Sequence, residues 1–118
     1  MECLHEIFEV QAEHWPDDIA IVYRGNNLTY CEAERRANRL ARYLRSRGAL
    51  KGTFVALLLE RSDQAIVAIL AVLKAGAAYV PLDPSYPEER TRHILDESGA
   101  VLVVTQESLV GQLTSTAA

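Results

Sequence analysis

The sequence predicts an α/β domain of three layers, in which a largely parallel sheet is preceded by a helix and a β-hairpin. Two observations support this prediction. Short apolar runs alternate with segments of helical periodicity, which is typical of a parallel sheet whose strands are joined by helices. One run, FVALLL at 54–59, is continuously apolar, as a strand buried on both faces requires. With 118 residues, the chain forms one domain at most.

Residues 1–50 predict a helix, a hairpin and a second helix. In residues 4–15, apolar side chains recur at helical spacing, and Pro16 ends this helix. Residues 19–30 form two strands around the turn sequence RGNN. The expected packing face of the first helix consists of Leu4, Ile7, Phe8, Gln11 and Trp15.

The second helix of this segment begins at a capping box, in which the Thr29 hydroxyl and the Glu32 carboxylate satisfy free backbone amides. Gly48 ends the helix. Its many arginines suggest a nucleic-acid surface, but the aromatic platform and the helix-turn-helix pattern are absent, so a solvated face is the preferred interpretation. The apolar stripe consists of Ala33, Ala37, Leu40, Ala41 and Leu44, and the arginines are Arg35, Arg36, Arg39, Arg42, Arg45 and Arg47.

Residues 51–113 predict a β-α-β-α-β-α core. Asp63 is the expected N-cap of its first helix, and Gly76 is the expected stop. Residues 114–118 are small and polar and are expected to fray. The predicted strands are 54–59, 79–80 and 101–104, and a short last helix is predicted around 109–113.

The stretch LKAGAAYVPLDPSYPEER, residues 73–90, passes from a helix to a strand, a turn and a new helix. Its three prolines stop both a helix and the pairing of a central strand. Ser85 and Glu88 fit a second capping box, with Pro87 in the first turn of the helix. This helix is expected to bury Ile94 and Leu95 and to end at Gly99.

Composition and charge exclude several classes of partner. The net charge of −4 gives no overall attraction to nucleic acid or to a membrane surface. The apolar run at 65–80 is interrupted by Lys74 and is shorter than the roughly 20 residues of a spanning helix. Cys3 and Cys31 lie far apart without a CxxC motif, which favours a reducing compartment. Because the start MECLHEIFE also lacks the features of a secretory signal, the expected localisation is cytoplasmic.

The first eighteen residues are rich in acids and contain no lysine or arginine. A solvated helix face is the preferred interpretation, and a docking surface for a neighbouring domain is the alternative. The acids are Glu2, Glu6, Glu9, Glu13, Asp17 and Asp18.

No motif for catalysis, phosphate binding or metal binding occurs in the sequence. Neither GxGxxG nor GxxxxGK(S/T) is present, and the glycines are scattered at turns and helix ends. His5, His14 and His93 have no further histidine or cysteine at ligand spacing. GxSxG is absent, and neither Cys3 nor Cys31 lies in a sequence motif of a catalytic cysteine. We therefore expect no catalytic, cofactor-binding or metal-binding residue in this chain.

Two segments carry a family resemblance. The stretch at 73–90 resembles the second core motif of the amino-acid adenylation domains of nonribosomal peptide synthetases, and LTYCEA at 28–33 resembles their first core motif. The spacing between the two and the intervening VALLLERS at 55–62 are also similar. The departures, Ala33 for a usual leucine and Gly52-Thr53 for a usual Gly-Asp, concern packing and a loop. The resemblance covers nearly the whole chain and implies a portion of the large N-terminal subdomain of the adenylate-forming fold.

The resemblance implies an ATP-dependent reaction of the parent enzyme. The family condenses an amino acid with ATP to an aminoacyl-AMP, with Mg²⁺ offsetting the phosphate charge, and passes the acyl group to the phosphopantetheine thiol of a carrier domain. The implied partners are the remainder of the adenylation domain and neighbouring carrier or condensation domains. The implied cofactors, ATP and Mg²⁺, belong to the parent enzyme.

Three hypotheses follow for the chain itself. The family's phosphate loop, amino-acid pocket and C-terminal catalytic lysine have no counterpart here, and Lys51 and Lys74 match neither of the family's lysine positions. The preferred hypothesis is therefore an N-terminal fragment of an adenylation domain that is inactive alone. The alternatives are a non-enzymatic module that completes or regulates a synthetase in trans, and a small enzyme that acts by itself.

Three side chains of the second core motif are chemically capable, and all three are expected to serve structure. Lys74 is placed near a helix C-terminus, where the dipole favours a cation. Asp83 is placed in a turn, and Arg90 on a surface.

Overall fold

The computed structural model describes residues 4–23, 25–60, 62–106 and 108–109. Within these residues, helices and strands alternate in the predicted order. The elements are α1 (Leu4–His14), β1 (Ile19–Tyr23), β2 (Asn26–Thr29), α2 (Tyr30–Ser46), β3 (Phe54–Leu58), α3 (Asp63–Lys74), β4 (Ala78–Leu82), α4 (Glu88–Ser98) and β5 (Leu102–Thr105).

Three parallel strands form the main sheet in the order β4-β3-β5. Strand β3 lies at the centre, and every residue of it after Phe54 is buried, which explains its continuously apolar sequence. Strands β1 and β2 form a separate antiparallel hairpin in which Tyr23 lies opposite Asn26. Gly25, with a φ of +81°, provides the left-handed conformation that so tight a connection needs.

The central strand supports one hydrophobic cluster on each face of the sheet. Val55 and Leu57 belong to the cluster that includes α2 and α3, whereas Ala56 and Leu58 belong to the cluster that includes α4. This alternation follows from the two-residue period of a strand. The sheet therefore lies between two helical layers, and the predicted three-layer α/β fold is confirmed.

Small side chains let α2 approach α3 closely. The predicted apolar stripe of α2 is buried, apart from the half-buried Leu40, and it faces alanines of α3. The Thr29 hydroxyl accepts a hydrogen bond of 3.2 Å from the Glu32 N–H, as the capping box predicts. Gly48 follows the helix with a φ of +109°. The buried alanines of the interface are Ala33, Ala37 and Ala41 of α2 with Ala68 and Ala71 of α3.

Helix α1 packs on this layer only in part. Phe8 packs against the core and against the Tyr30 ring, with 5.0 Å between the ring centroids. Ile7 and Trp15, which were predicted on the same packing face, remain exposed. The helical period correctly identifies the face, but within the described residues α2 and α3 cover only one side of it.

Three details of the helix ends and faces differ from the predictions. The N-cap of α3 is Ser62, whose Oγ accepts from the Ala65 N–H at 3.2 Å, so Asp63 is the first helical residue. Helix α4 has Pro87 as its N-cap without a side-chain cap, because the Ser85 hydroxyl donates to Asp83 instead. The buried residue of α4 is Thr91, while Ile94 and Leu95 are half-buried. Residues 110–118, and so most of the predicted last helix and the tail, lie outside the described residues.

Pro81 lies inside β4, so the strand continues past the predicted stop. The Ala78 N–H donates to the Thr53 carbonyl that precedes β3 at 3.0 Å. The backbone N–H and carbonyl groups of successive residues point to opposite edges of a strand. Those of Ala78, Val80 and Leu82 point to β3, whereas the backbone groups of Tyr79 and Pro81 point to the outer edge of the sheet. The proline therefore removes a donor only from the outer edge, where no ladder bond is lost.

We expect Ser62→Ala to lower the free energy of unfolding by about 1 kcal/mol, because the first turn of α3 loses its side-chain acceptor. Asp63→Ala is the matched control at the neighbouring position and should cost about 0.5 kcal/mol through the helix dipole alone. Urea unfolding followed by circular dichroism measures both. A larger loss from Asp63→Ala than from Ser62→Ala would contradict the cap assignment.

Candidate functional site

An open cleft of about 560 Å³ lies at the carboxyl ends of β3 and β4. The chain leaves β3 for α3 on one face of the sheet and leaves β4 for α4 on the other face. The carboxyl ends of the strands are the usual location of ligand clefts in open α/β sheets. The residues that line the cleft are Leu59, Glu60, Pro81, Leu82, Asp83, Pro84, Ser85 and Tyr86.

The turn after β4 is held by Asp83. Its Oδ1 accepts from the Ser85 N–H at 2.9 Å and from the Ser85 hydroxyl at 2.8 Å. The Tyr86 N–H donates to the Asp83 carbonyl at 3.0 Å, and the guanidinium of Arg90 lies 4.3 Å from the centroid of the Tyr86 ring. Asp83 therefore has the turn role predicted from the sequence, and Arg90 is exposed as predicted.

The other wall of the cleft is joined to β5 by Gln106. The Glu60 N–H donates to Gln106 Oε1 at 3.0 Å, and Gln106 Nε2 donates to the Ser108 hydroxyl at 2.8 Å. The Thr105 hydroxyl donates to the Leu58 carbonyl at 2.8 Å. These bonds hold the carboxyl ends of β3 and β5 together. The residues that form these bonds belong to no sequence motif. Only the parallel topology of the sheet could have indicated that they lie together.

Among the described residues, the charged groups that line this cleft are the carboxylates of Glu60 and Asp83. Within the described residues, no group of three or more histidine, cysteine, aspartate or glutamate side chains could hold a metal ion. His14 and His93 are exposed, Cys31 is a half-buried free thiol, and the side chains of His5 and Cys3 lie outside the described residues.

Lys74 lies at the opposite end of α3 from this cleft. The helix has twelve residues, which at 1.5 Å per residue corresponds to about 18 Å. Lys74, Asp83 and Arg90 thus do not converge on one site. That these residues have no catalytic role stays a prediction.

The Lys74 ammonium forms the centre of a charged cluster between three helices. Its Nζ lies 2.7 Å from Glu9 Oε1 of α1 and donates to Glu34 Oε2 of α2 at 3.1 Å. The lysine side chain is only 6% exposed, whereas that of Glu34 is 16% and that of Glu9 is 46% exposed. Arg45 Nη2 donates to the Lys74 carbonyl at 2.8 Å and so caps the end of α3. The position of Lys74 near the C-terminus of a helix predicted a favourable place for a cation. Its two carboxylate partners could not be predicted, because they are distant in sequence and belong to no sequence motif.

The charged helix faces agree with the preferred interpretations. The five arginines of α2 and Arg47 at its C-cap are all exposed, as expected for a solvated face. Among the acids before residue 19, Glu6, Glu9, Glu13, Asp17 and Asp18 are exposed, and Glu2 lies outside the described residues. No helix in the described part of the chain has both the length and the apolar character needed to cross a membrane.

A family model decides the assignment. The model described as "AMP-binding enzyme" matches residues 8–118. The chain belongs to the AMP-binding enzyme family. The match includes both segments that carry the resemblance to adenylation domains, at 28–33 and at 73–90.

Curated relatives place the AMP-binding segment among nonribosomal peptide synthetases. A linear gramicidin synthase polypeptide from Brevibacillus parabrevis is 49% identical over 116 residues, which are 98% of this chain and 2% of that protein. N-(5-amino-5-carboxypentanoyl)-L-cysteinyl-D-valine synthase from Amycolatopsis lactamdurans is 53% identical over 105 residues, which are 88% of this chain and 3% of that protein. The resemblance to adenylation domains is thereby confirmed, although the chain spans only about 2% to 3% of the length of these relatives.

Solved structures confirm the fold of this AMP-binding segment. The nonribosomal peptide synthetase FmoA3, bound to alpha-methyl-L-serine-AMP, superposes with a TM-score of 0.90 at 37% identity, over 96% of this chain and 13% of that chain. The N-terminal subdomain of NpsA from Klebsiella oxytoca, in complex with 3-hydroxyanthranilyl-AMSN, superposes with a TM-score of 0.84 at 27% identity, over 93% of this chain and 28% of that chain.

Proposed function

We propose that this chain is the N-terminal part of an amino-acid adenylation domain whose parent enzyme activates an amino acid with ATP in nonribosomal peptide synthesis. The main support is the similarity to the linear gramicidin synthase polypeptide, which extends over 98% of the chain. The parent would use ATP and Mg²⁺ and would load the phosphopantetheine arm of a carrier domain. Its neighbours would be the rest of the adenylation domain and carrier or condensation domains, in the cytoplasm.

The chain itself is proposed to contribute scaffold and no catalytic group. The support is that the described residues lining the cleft carry two carboxylates and that no phosphate-binding motif occurs in the sequence. We therefore assign no step of adenylation to these residues. What they do is to fix the ends of β3, β4 and β5 relative to one another, through the Asp83 turn and the bonds of Gln106.

A chimera tests the proposed function. The 118-residue sequence replaces the matching segment in one adenylation domain of the linear gramicidin synthase polypeptide. We expect the chimera to catalyse amino-acid-dependent ATP–pyrophosphate exchange, and we expect none from the 118-residue chain alone. A folded chimera without exchange activity would contradict the assignment, and exchange by the isolated chain would support the small enzyme that acts by itself.

Within the active chimera, we expect Asp83→Asn to leave the rate of exchange nearly unchanged. The asparagine side chain keeps the oxygen that accepts from Ser85, and only the charge is lost. A fall of about 100-fold or more, at unchanged thermal stability, is the size expected for a general acid or base and would contradict a purely structural Asp83.

The second candidate, a module that completes a synthetase in trans, is favoured by one observation. Strand β5 is paired only with β3 in the described residues, so its outer edge is available to another segment. Copurification of the chain with a larger synthetase polypeptide that lacks this segment would support this candidate.

A further inference from the structure

A polar cavity of about 380 Å³ lies where α1, α2 and α3 meet, near the carboxyl end of α3. Helix α2 provides most of its lining, because Asn38, Ala41 and Arg45 recur at the spacing of one helix face. Ala41 is buried, and its small side chain leaves space that a larger residue would fill. We call this space the Lys74 cavity. Its lining residues are Glu9, Asn38, Ala41, Arg42, Arg45 and Lys74.

An oxyanion already occupies part of the Lys74 cavity. Glu9 Oε1 lies 2.7 Å from Lys74 Nζ, which is the distance of a charge-assisted hydrogen bond. The Lys74 side chain is only 6% exposed, and Glu34 also contacts its ammonium, at 3.0 Å. The protein therefore holds this cation in place, and the carboxylate in contact with it indicates the chemistry that the cavity binds.

The Glu9 carboxylate is held only weakly in this position. Its side chain is 46% exposed, and within the described residues Lys74 is its one hydrogen-bond partner. An ion pair with such an exposed member contributes little to stability, because water competes for the charge and the side chain loses rotamer freedom. Rotation of the Glu9 side chain into water would uncover the ammonium without moving the backbone of α1. An external anion can therefore take the position of this carboxylate.

The charges around the cavity favour an anion once Glu9 has turned away. Three cations, Arg42, Arg45 and Lys74, line the cavity. When the Glu34 carboxylate is counted against them, an excess of two positive charges remains. Arg42 is exposed and has no hydrogen bond or ion pair within the described part of the chain, so its guanidinium is available to a ligand. The carbonyls at the end of α3 oppose an anion, but Arg45 donates to that of Lys74 at 2.8 Å and offsets this effect.

We propose that the Lys74 cavity binds a small oxyanion, the carboxylate or phosphate group of a ligand, in the position that the Glu9 carboxylate occupies. Lys74 supplies a fixed ammonium, and Arg42 supplies the planar pair of donors that carboxylate and phosphate groups match. Glu9 acts as an internal competitor that fills the site at low anion concentration. The cavity lies at the opposite end of α3 from the cleft, so the inference does not depend on the proposed function.

Calorimetric titration with inorganic phosphate and with acetate, at constant ionic strength, tests the site. We expect Glu9→Ala to bind the preferred anion roughly 10-fold more tightly than the unsubstituted chain, because the internal competitor is removed. Adding Arg42→Gln to Glu9→Ala should abolish this binding. Arg39→Gln is the matched control, since Arg39 is an exposed arginine of α2 outside the lining, and it should leave the affinity unchanged.

The two anions distinguish the sources of the ligand group. Tighter binding of phosphate would support a phosphate ligand, and tighter binding of acetate would support a carboxylate ligand. Equal affinities of Glu9→Ala and the unsubstituted chain, or equal losses from Arg42→Gln and Arg39→Gln, would overturn the proposal.

Chemical modification of arginine provides a second measurement, which also applies to the chimera. Phenylglyoxal reacts with exposed arginine side chains, and mass spectrometry of the peptides reports each position separately. In the Glu9→Ala variant of the chimera, we expect the preferred anion to slow the modification of Arg42 several-fold and to leave that of Arg39 unchanged. Equal protection of the two arginines, or protection of neither, would overturn the proposal.

Discussion

Replacement of Lys74 by methionine is expected to lower the free energy of unfolding by about 3 kcal/mol. Methionine fills most of the volume of the lysine side chain, so packing is largely kept. What is lost is the cation that faces Glu9 and Glu34. Glu34 Oε1 is buried without a hydrogen bond of its own and lies 3.0 Å from Lys74 Nζ, so the carboxylate would remain charged in a site with little access to water. An uncompensated buried charge costs more than the pair contributes.

The chain offers a matched control, because Lys51 is its only other lysine and is exposed. Lys51→Met should change the free energy of unfolding by no more than about 0.5 kcal/mol. Adding Glu34→Gln to Lys74→Met should restore part of the lost stability, because the orphaned carboxylate becomes neutral. Urea unfolding of the unsubstituted chain, the two single lysine variants and the double variant measures these changes in the free energy of unfolding. Equal effects of the two lysine substitutions, or no recovery in the double variant, would contradict a buried charge cluster.

Leu58→Ala is expected to lower the free energy of unfolding by about 3 kcal/mol. Leu58 is fully buried in the central strand and packs in the cluster that joins the sheet to α4. The substitution removes apolar surface from this cluster and leaves a cavity between neighbours that are fixed by the β3 ladder. The backbone bonds of the strand do not depend on the side chain, so secondary structure should be kept.

Leu50→Ala is the matched control for this loss, because Leu50 is exposed in the connection before β3. We expect it to cost no more than about 0.5 kcal/mol. Thermal unfolding by calorimetry compares the two. If Leu58→Ala were as mild as Leu50→Ala, the second cluster would not contribute to the stability of the fold.

Features that depend on local sequence were predictable. Periodicity and turn chemistry identified every helix and strand of the described residues, because each element has a boundary residue such as Pro16 or Gly48 and a repeating apolar pattern. The N-cap of α3 was assigned to the wrong residue because two suitable side chains are adjacent in the sequence. Ser62 and Asp63 are both good caps, and only the backbone conformation of Ser62 decides between them.

Features that depend on distant residues were not predictable from sequence pattern. The edge position of β4, which makes Pro81 acceptable, follows from the strand order. The partners of Lys74 come from α1 and α2, and the contact of Gln106 with Glu60 spans 46 residues. For the candidate site, the sequence correctly placed Asp83 in a turn but could not show that this turn borders a cleft with β3.

The Glu9–Lys74 contact has a consequence for the order of folding. It closes a loop of 65 residues, whereas the neighbouring α2 and α3 layers join over shorter separations. Closing a loop costs chain entropy that buried contacts must offset, and among the described side chains of α1 only Phe8 and Ala12 are half-buried. We therefore expect α1 to join last during refolding and to detach first under mild denaturant, as a separate cooperative unit. Its amides would then report a local opening that the amides of β3 do not share.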